Sequence, residues 1–255
     1  MEILRLENVV KVYGKGGVAT KALAGITFGV QPSEFVAVMG ASGSGKTTLL
    51  NLIATIDTVS GGKIYVDGRD VTEMNEEELS VYRGRKLGFV FQEYNLLDTL
   101  TAYENIILPL TLRGTPRYDI EREAGEIMRA FGLTELAGKF PSELSGGERQ
   151  RTACARALIG KPSLIMADEP TGALDSKTGK DVMDTLKKLS EEKLVIIVSH
   201  DLDFAEQYGD RIVEMKDGKI ISDVTKNYAV ARDLSANVSV IANDTLRVRG
   251  GTRLS

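Results

Sequence analysis

The residues best equipped for chemistry form a run of eight, Gly40-Ala41-Ser42-Gly43-Ser44-Gly45-Lys46-Thr47, with Thr48 beside it. The spacing is G-x-x-x-x-G-K-[ST]. Small residues let backbone N–H groups turn inward around phosphate oxygens, and a following helix adds the positive end of its dipole. In such a loop Gly40, Ser42, Gly43, Ser44, Gly45 and Thr48 belong to the cradle, Lys46 reaches the outer phosphates of a nucleotide, and Thr47 binds Mg²⁺. An ordinary glycine turn would share the glycines. It would not require Lys-Thr at this offset, between the apolar run FVAVM and the helical stretch TTLLNLIAT.

Two carboxylates, Asp168 and Glu169, close the apolar run beginning at Leu164. One acid can hold the metal shell and the other can polarise an attacking water. Alone, such a run looks like any strand ending in a solvated turn; the phosphate loop gives it weight. His200, the one histidine, follows the apolar run LVIIV. It therefore falls at the carboxyl end of a strand, where open α/β sheets bind ligands. In Leu144-Ser145-Gly146-Gly147-Glu148-Arg149-Gln150, Ser145 and Glu148 have the spacing of a helix capping box. A cap does not need Gly146 and Gly147, and bare glycines at a first turn let an anion approach the free N–H groups and the Ser145 hydroxyl.

The elements that must position these groups alternate in type. Residues 1–91 read as β runs (ILRLENVVKVY, FVAVM, KIYV, LGFVF) with one helix, the one after the glycine loop. From Gln92 to Ile159 the β runs vanish and amphipathic segments such as RYDIEREAGEIMRAFGL predict a helical insertion. Alternation then resumes: SLIMAD as strand, SKTGKDVMDTLKKLSEE as helix, KLVIIVS as strand and a hairpin around Asp217-Gly218. The fold class is α/β with a helical subdomain. Beyond Asn227, VSVIA and TLRVR read equally as a late hairpin or a frayed tail.

Composition narrows the functions. The 255 residues suit one large domain or two small ones. Thirty-two Lys and Arg against 36 Asp and Glu give a net charge of −4, so no bulk positive field points to nucleic acid, and none is expected as a partner. A single cysteine, Cys154, rules out an internal disulfide framework and fits a reducing compartment. The N-terminus does not read as a signal peptide, and the longest apolar runs are far below the roughly 20 residues of a membrane-spanning helix. A soluble chain is expected, so any membrane role comes through a partner.

Together, LSGGERQ and the phosphate loop resemble the nucleotide-binding domain of the ABC (ATP-binding cassette) ATPases, over residues 1–225. Other positions follow in the family's order. Tyr13 in KVYG resembles the aromatic that stacks on adenine, Gln92 in FVFQ the glutamine of the Q-loop, Asp175 ending GALD the D-loop, and His200 the switch histidine. Read from the residues alone, Tyr13 would serve equally as a strand aromatic and Gln92 as a solvated loop residue. The resemblance implies a P-loop NTPase: a RecA-like core with an N-terminal antiparallel β-subdomain (1–91 and 160–225), a helical signature subdomain (92–159), and a tail, 226–255, with no counterpart. It implies ATP and Mg²⁺, with Thr47, Gln92 and Asp168 toward the metal and Lys46, Gln92, Glu169 and His200 in hydrolysis. It also implies a head-to-tail homodimer in which Ser145 completes the site of the other chain, an integral-membrane permease as partner, and a place on the inner face of the cell membrane.

The stretch after Gln92 is similar to that of ATPases serving lipoprotein-releasing, macrolide-type and peptide-antibiotic permeases. Those typically read F-N-L-L followed by Pro; here Tyr94-Asn95-Leu96-Leu97 is followed by Asp98. YNLLDTLT resembles the bacitracin-resistance subgroup, which implies resistance to cell-wall-targeting peptides. Lipoprotein-releasing, macrolide-type or cell-division ATPases would share every catalytic motif, and a regulatory ATP-binding protein is a further alternative. Tyr94, Leu96, Leu97 and Leu100 suit either a groove for a permease helix or packing inside the helical subdomain. Ser33 departs from the glycine that relatives often carry before FVAVM.

Overall fold

Five apolar residues in succession cannot present a polar face to water, so the strand formed by FVAVM has to be covered on both sides. The protein, seen in a computed structural model that describes residues 2–14, 19–172, 174 and 176–226, solves this with layers. A six-stranded sheet contains β3 (Phe35–Met39), β6 (Leu87–Val90), β7 (Leu164–Asp168), β8 (Leu194–Val198), β9 (Arg211–Lys216) and β10 (Lys219–Thr225), in the order β10-β9-β3-β8-β7-β6. From β9 to β6 every pairing is parallel. All five residues of β3, β7 and β8 are buried, and alternate residues serve different cores. Val36, Val38, Met166 and Ile196 join one cluster with α1 (Lys46–Ile53); Phe35, Ala37, Ile165 and Ile197 join another with α5 (Gly146–Leu158) and α6 (Ser176–Leu189).

The first cluster is closed by an antiparallel sheet of β1 (Leu4–Tyr13), β2 (Thr20–Val30), β4 (Gly61–Val66) and β5 (Arg69–Asp70), in the order β2-β1-β4-β5. The second is extended by α3 (Ala102–Leu112) and α4 (Arg117–Ala130) from the stretch predicted to be helical, and by α7 (Leu202–Tyr208).

Four elements were absent from the sequence reading: the short β5 and α7, and the longer β2 and α2 (Glu76–Lys86). β2 was not among the expected strands: its alternation is broken by register shifts against β1, and Gly25 turns with φ +91° close to the Asn8 side chain. A second helix, α2, stands where only one was expected before residue 92. It buries a single side chain, Tyr82, so it has no apolar period, but Asn75 and Glu78 cap it reciprocally. Ser33 is left-handed, φ 58°, which explains why glycine suits that position. The late-hairpin segments lie outside the described residues.

The hairpin between β9 and β10 locks the two sheets together. Asp217 and Gly218 both have positive φ, as a two-residue turn requires. The Gly218 N–H donates to the Ser44 carbonyl (3.1 Å), and the Gly218 carbonyl accepts from Ala24 N–H (2.9 Å). A Cβ at Gly218, φ +71°, would fall 2.6 Å from the Ala22 carbonyl oxygen. Gly218→Ala is therefore expected to lower stability by about 2–3 kcal/mol in urea unfolding. Unchanged stability would mean that the turn is free to move off β2.

Candidate functional site

The carboxyl end of β3 opens into the glycine loop, and three glycines explain its shape. Gly40, Gly43 and Gly45 have φ of +149°, +79° and +102°. A Cβ on Gly40 would stand 2.3 Å from the Met215 carbonyl oxygen, and one on Gly45 would stand 2.6 Å from that of Ala22. Gly43 meets nothing within 4 Å, so its requirement is purely conformational. The loop ends at Gly45, which caps α1 without a side-chain hydrogen bond. The first N–H groups of the helix are thus left facing the cleft for an anion.

That cleft, about 770 Å³, is lined by Gly40, Ala41, Ser42, Gly43, Gly45, Lys46, Thr47 and Thr48 from the loop, and by Gln92, Asp168, Glu169 and His200. Ser44 is not part of the lining; it is buried beneath the loop next to Gly40. Lys46 Nζ donates to the carbonyls of Gly40 (2.8 Å) and Ala41 (3.0 Å), folding its charge across the loop. Thr47 hydrogen-bonds the Asp168 carboxylate. Burial pushes the Asp168 carboxyl above its ordinary pKa, and the neighbouring Glu169 charge adds to this against the Thr47 bond. Asp168 Oδ1 is buried with no hydrogen-bond partner. An orphaned carboxylate oxygen beside a threonine hydroxyl is a donor set that fits a hard divalent cation.

Glu169 follows in the left-handed conformation, φ 49°, a strained setting for a non-glycine residue. Its N–H donates to the Val198 carbonyl (2.9 Å), and its carbonyl accepts from Gly172 N–H (3.2 Å). One turn thus aims Asp168 and Glu169 at the same cleft. His200 Nδ1 lies 2.9 Å from Glu169 Oε2, and that hydrogen bond raises the imidazole pKa. The imidazole is otherwise in the open, with 74% of the side chain exposed.

Beyond Gln92 the chain is held by its backbone. Tyr94 and Asn95 are left-handed (φ 60° and 47°), and Arg156 on α5 donates to both their carbonyls, at 2.7 and 2.5 Å. Tyr94, Leu96 and Leu100 are half-buried and Leu97 is exposed; none joins the cluster that contains α3 and α4. They lie instead along its border, where the Tyr94 ring sits under the Arg149 guanidinium of α5 (5.6 Å) and the Leu97 and Leu100 carbonyls accept from Asn105 of α3.

Two predicted groups lie elsewhere, and a third is not described. Tyr13 stands beside the cleft: its hydroxyl donates to Asp57 Oδ2 (2.7 Å) and is bonded to Thr48, which lines it. Ser145, Gly146 and Gly147 start α5 and do not line the cleft; Ser145 and Glu148 form the capping box that their spacing predicts. A Cβ on Gly147 would meet only ordinary contacts, the nearest at 3.5 Å, so packing does not demand glycine there. Asp175 lies outside the described residues.

Sequence reasoning gave no role to several groups. Thr20, Lys21, Ala22, Asp217 and Gly218 also line the cleft, and of these only Asp217-Gly218 carried a signal, as a turn. Asp57 binds Lys11 Nζ at 2.5 Å as well as Tyr13, and Lys11 also donates to the Thr58 carbonyl. Burial opposes ionisation of Asp57, but Lys11, Tyr13 and the Thr58 N–H outweigh it and hold its carboxyl below the ordinary value of 3.8.

A sheet with a phosphate loop at the end of one strand and an acid pair at the end of another defines the class of phosphate-loop nucleotide hydrolases. The ABC transporter family matches residues 23–172. The macrolide export ATP-binding/permease protein MacB of Brucella melitensis is 45% identical over 225 residues, 88% of this chain; the chain spans only 35% of that protein's length. The bacitracin export ATP-binding protein BceA of Halalkalibacterium halodurans is 45% identical over 228 residues, covering 89% of this chain and 90% of that one. Among solved structures, the ATP-binding cassette MJ0796 of Methanocaldococcus jannaschii, a dimer in a post-hydrolysis state bound to ADP and Pi, superposes with a TM-score of 0.83 at 40% identity, covering 87% of this chain and 98% of that one. The chain belongs to the ABC transporter family and is an ATPase of that fold.

Asp57→Asn keeps an acceptor for Tyr13 and removes the charge opposite Lys11. A stability loss of about 1–2 kcal/mol is expected at neutral pH by urea unfolding. Because folding lowers the Asp57 pKa, this contribution is present above 3.8 and is lost as the pH falls through the folded value. The difference between variant and wild type should therefore narrow in acid; a constant difference would assign it to packing.

Proposed function

We propose that residues 1–225 form one ATP-binding cassette that hydrolyses ATP and drives an integral-membrane permease. The observation that carries this reading is the convergence of Lys46, Thr47, Gln92, Asp168, Glu169 and His200 on one cleft, with Ser145-Gly146-Gly147 outside it. A nucleotide held in this cleft would keep one side open to a second chain. In a head-to-tail homodimer the Ser145 hydroxyl and the bare first turn of α5 would close the partner's site.

The geometry supports the following roles. Lys46 releases the Gly40 and Ala41 carbonyls to take up the outer phosphates, Ser42 to Thr48 surround the phosphate chain, and Tyr13 offers its ring to the adenine. Thr47, Asp168 and Gln92 would hold Mg²⁺, which when bound supplies charge neutralisation at the phosphate oxygens. Glu169 polarises water for attack at the γ-phosphorus; the bond to the bridging oxygen breaks, giving ADP and inorganic phosphate. His200 fixes the Glu169 carboxylate through Nδ1 and presents the rest of its ring to the cleft. Asp175 would act at the dimer contact.

For the partner, the described residues contain no helix long and apolar enough to cross a membrane, which supports attachment through a permease at the inner face of the membrane. A groove of about 550 Å³ between α2, α3 and the end of α5 is lined by apolar Val81, Leu87, Phe89, Leu108, Pro109 and Leu112 and by Arg83, Arg85, Arg113 and Arg156. Leu112 is 79% exposed. This groove, with an apolar wall and an arginine wall, is the better place for an amphipathic permease helix, with Tyr94, Leu96, Leu97 and Leu100 on the segment behind Gln92. The likeness to the bacitracin exporter, together with YNLLDTLT, supports export of, or resistance to, cell-wall-targeting peptides. The equal identity to MacB supports a macrolide-type exporter as the second reading.

Steady-state Mg²⁺-ATP hydrolysis should give a specific activity that rises with protein concentration. Glu169→Gln should bind ATP, lose turnover by about 100-fold or more and accumulate as a dimer on size exclusion. Lys46→Ala should weaken nucleotide binding or turnover by at least about tenfold. Retained turnover in both would remove the site. Leu112→Glu should leave the isolated ATPase unchanged and abolish co-purification with the cognate permease; intact co-purification would move the docking surface elsewhere.

A further inference from the structure

The turn that aims Glu169 is tied to α5 by one buried side chain. Gln150, 2% exposed, donates from Nε2 to the Pro170 carbonyl at 2.8 Å. Pro170 is itself buried and follows Glu169 directly. Proline has no N–H, so the backbone at this point cannot hold itself through its own donor. The left-handed Glu169 is thus fixed on three sides: by its N–H on Val198, by its carbonyl under Gly172, and by the Gln150 amide on the next carbonyl. The first two bonds fix the backbone to β8 and to the turn itself. The third is the one of these that reaches to another helix.

We propose that Gln150 is a positioning residue for Glu169, setting the catalytic carboxylate by the location of α5. The inference rests on Glu169 being the acid that polarises water. Gln150 stands five residues after Ser145, so roughly 7–8 Å of helix separates the end offered to the partner's nucleotide from the amide that holds this chain's own acid. A helix is stiff over that length. A displacement of the Ser145 end is therefore passed to the Pro170 carbonyl, and the placement of Glu169 in one site depends on what α5 meets in the other.

The test is Gln150→Met, which keeps volume and helix propensity and removes the donor. The expected result is a kcat lowered by about tenfold or more, with KM for ATP and the affinity for a fluorescent ATP analogue within twofold of wild type. Gln150→Met/Glu169→Gln should still form the ATP-dependent dimer as readily as Glu169→Gln alone. A Gln150→Met kcat within twofold of wild type, or loss of that dimer in the double variant, overturns the inference. If Gln150→Met unfolds below the assay temperature, Gln150→Leu replaces it with the same criteria. The underlying reading is separable: turnover retained in Glu169→Gln discards the role of Glu169, whereas turnover lost there and kept in Gln150→Met discards only the role of Gln150.

Discussion

Everything in the site depends on a place where three backbones meet with no room for a side chain. Gly45 of the phosphate loop and Gly218 of the β9–β10 turn would each drive a Cβ to 2.6 Å from the same Ala22 carbonyl oxygen on β2. Gly218 then bonds the loop at Ser44 and β2 at Ala24. This contact makes the antiparallel sheet, the parallel sheet and the phosphate loop one body. It adds a backbone tether at the loop itself to the shared core under the antiparallel sheet and to the bonds that hold Tyr13 on Asp57 and Thr48.

Around that junction the polar groups are arranged to be incomplete. Lys46 is satisfied by carbonyls of its own loop, which an anion can replace, and Asp168 keeps a buried oxygen with no partner. Leaving a buried acceptor unmade costs about 1–3 kcal/mol, and Glu169 adds strain in its left-handed turn. The double burial of β3, β7 and β8 supplies the rigidity that sustains these costs. A well-packed sheet thus carries a cleft that is poised for phosphates and a cation.

Much of this was legible in the residues, for identifiable reasons. β3, β7 and β8 announce themselves because a doubly covered strand must be apolar throughout, and α5 because Ser145 and Glu148 sit at capping distance. α2 was not legible from periodicity because it buries only Tyr82, and β2 was hidden by its irregular register with β1. The tether of Tyr13 to Asp57 spans 44 residues, and that of Gln150 to Pro170 spans 20. No local spacing rule reaches such pairs. The separation of Ser145 from the cleft was legible only through the family resemblance, because no local spacing relates α5 to the phosphate loop.

The hold that Arg156 keeps on the segment after Gln92 bears on which substitutions that segment tolerates. Its two bonds go to the carbonyls of Tyr94 and Asn95, not to their side chains. The backbone there is held whatever residues occupy the positions, provided they tolerate left-handed φ. Side chains of the segment can thus be exchanged while its attachment to α5 stays in place.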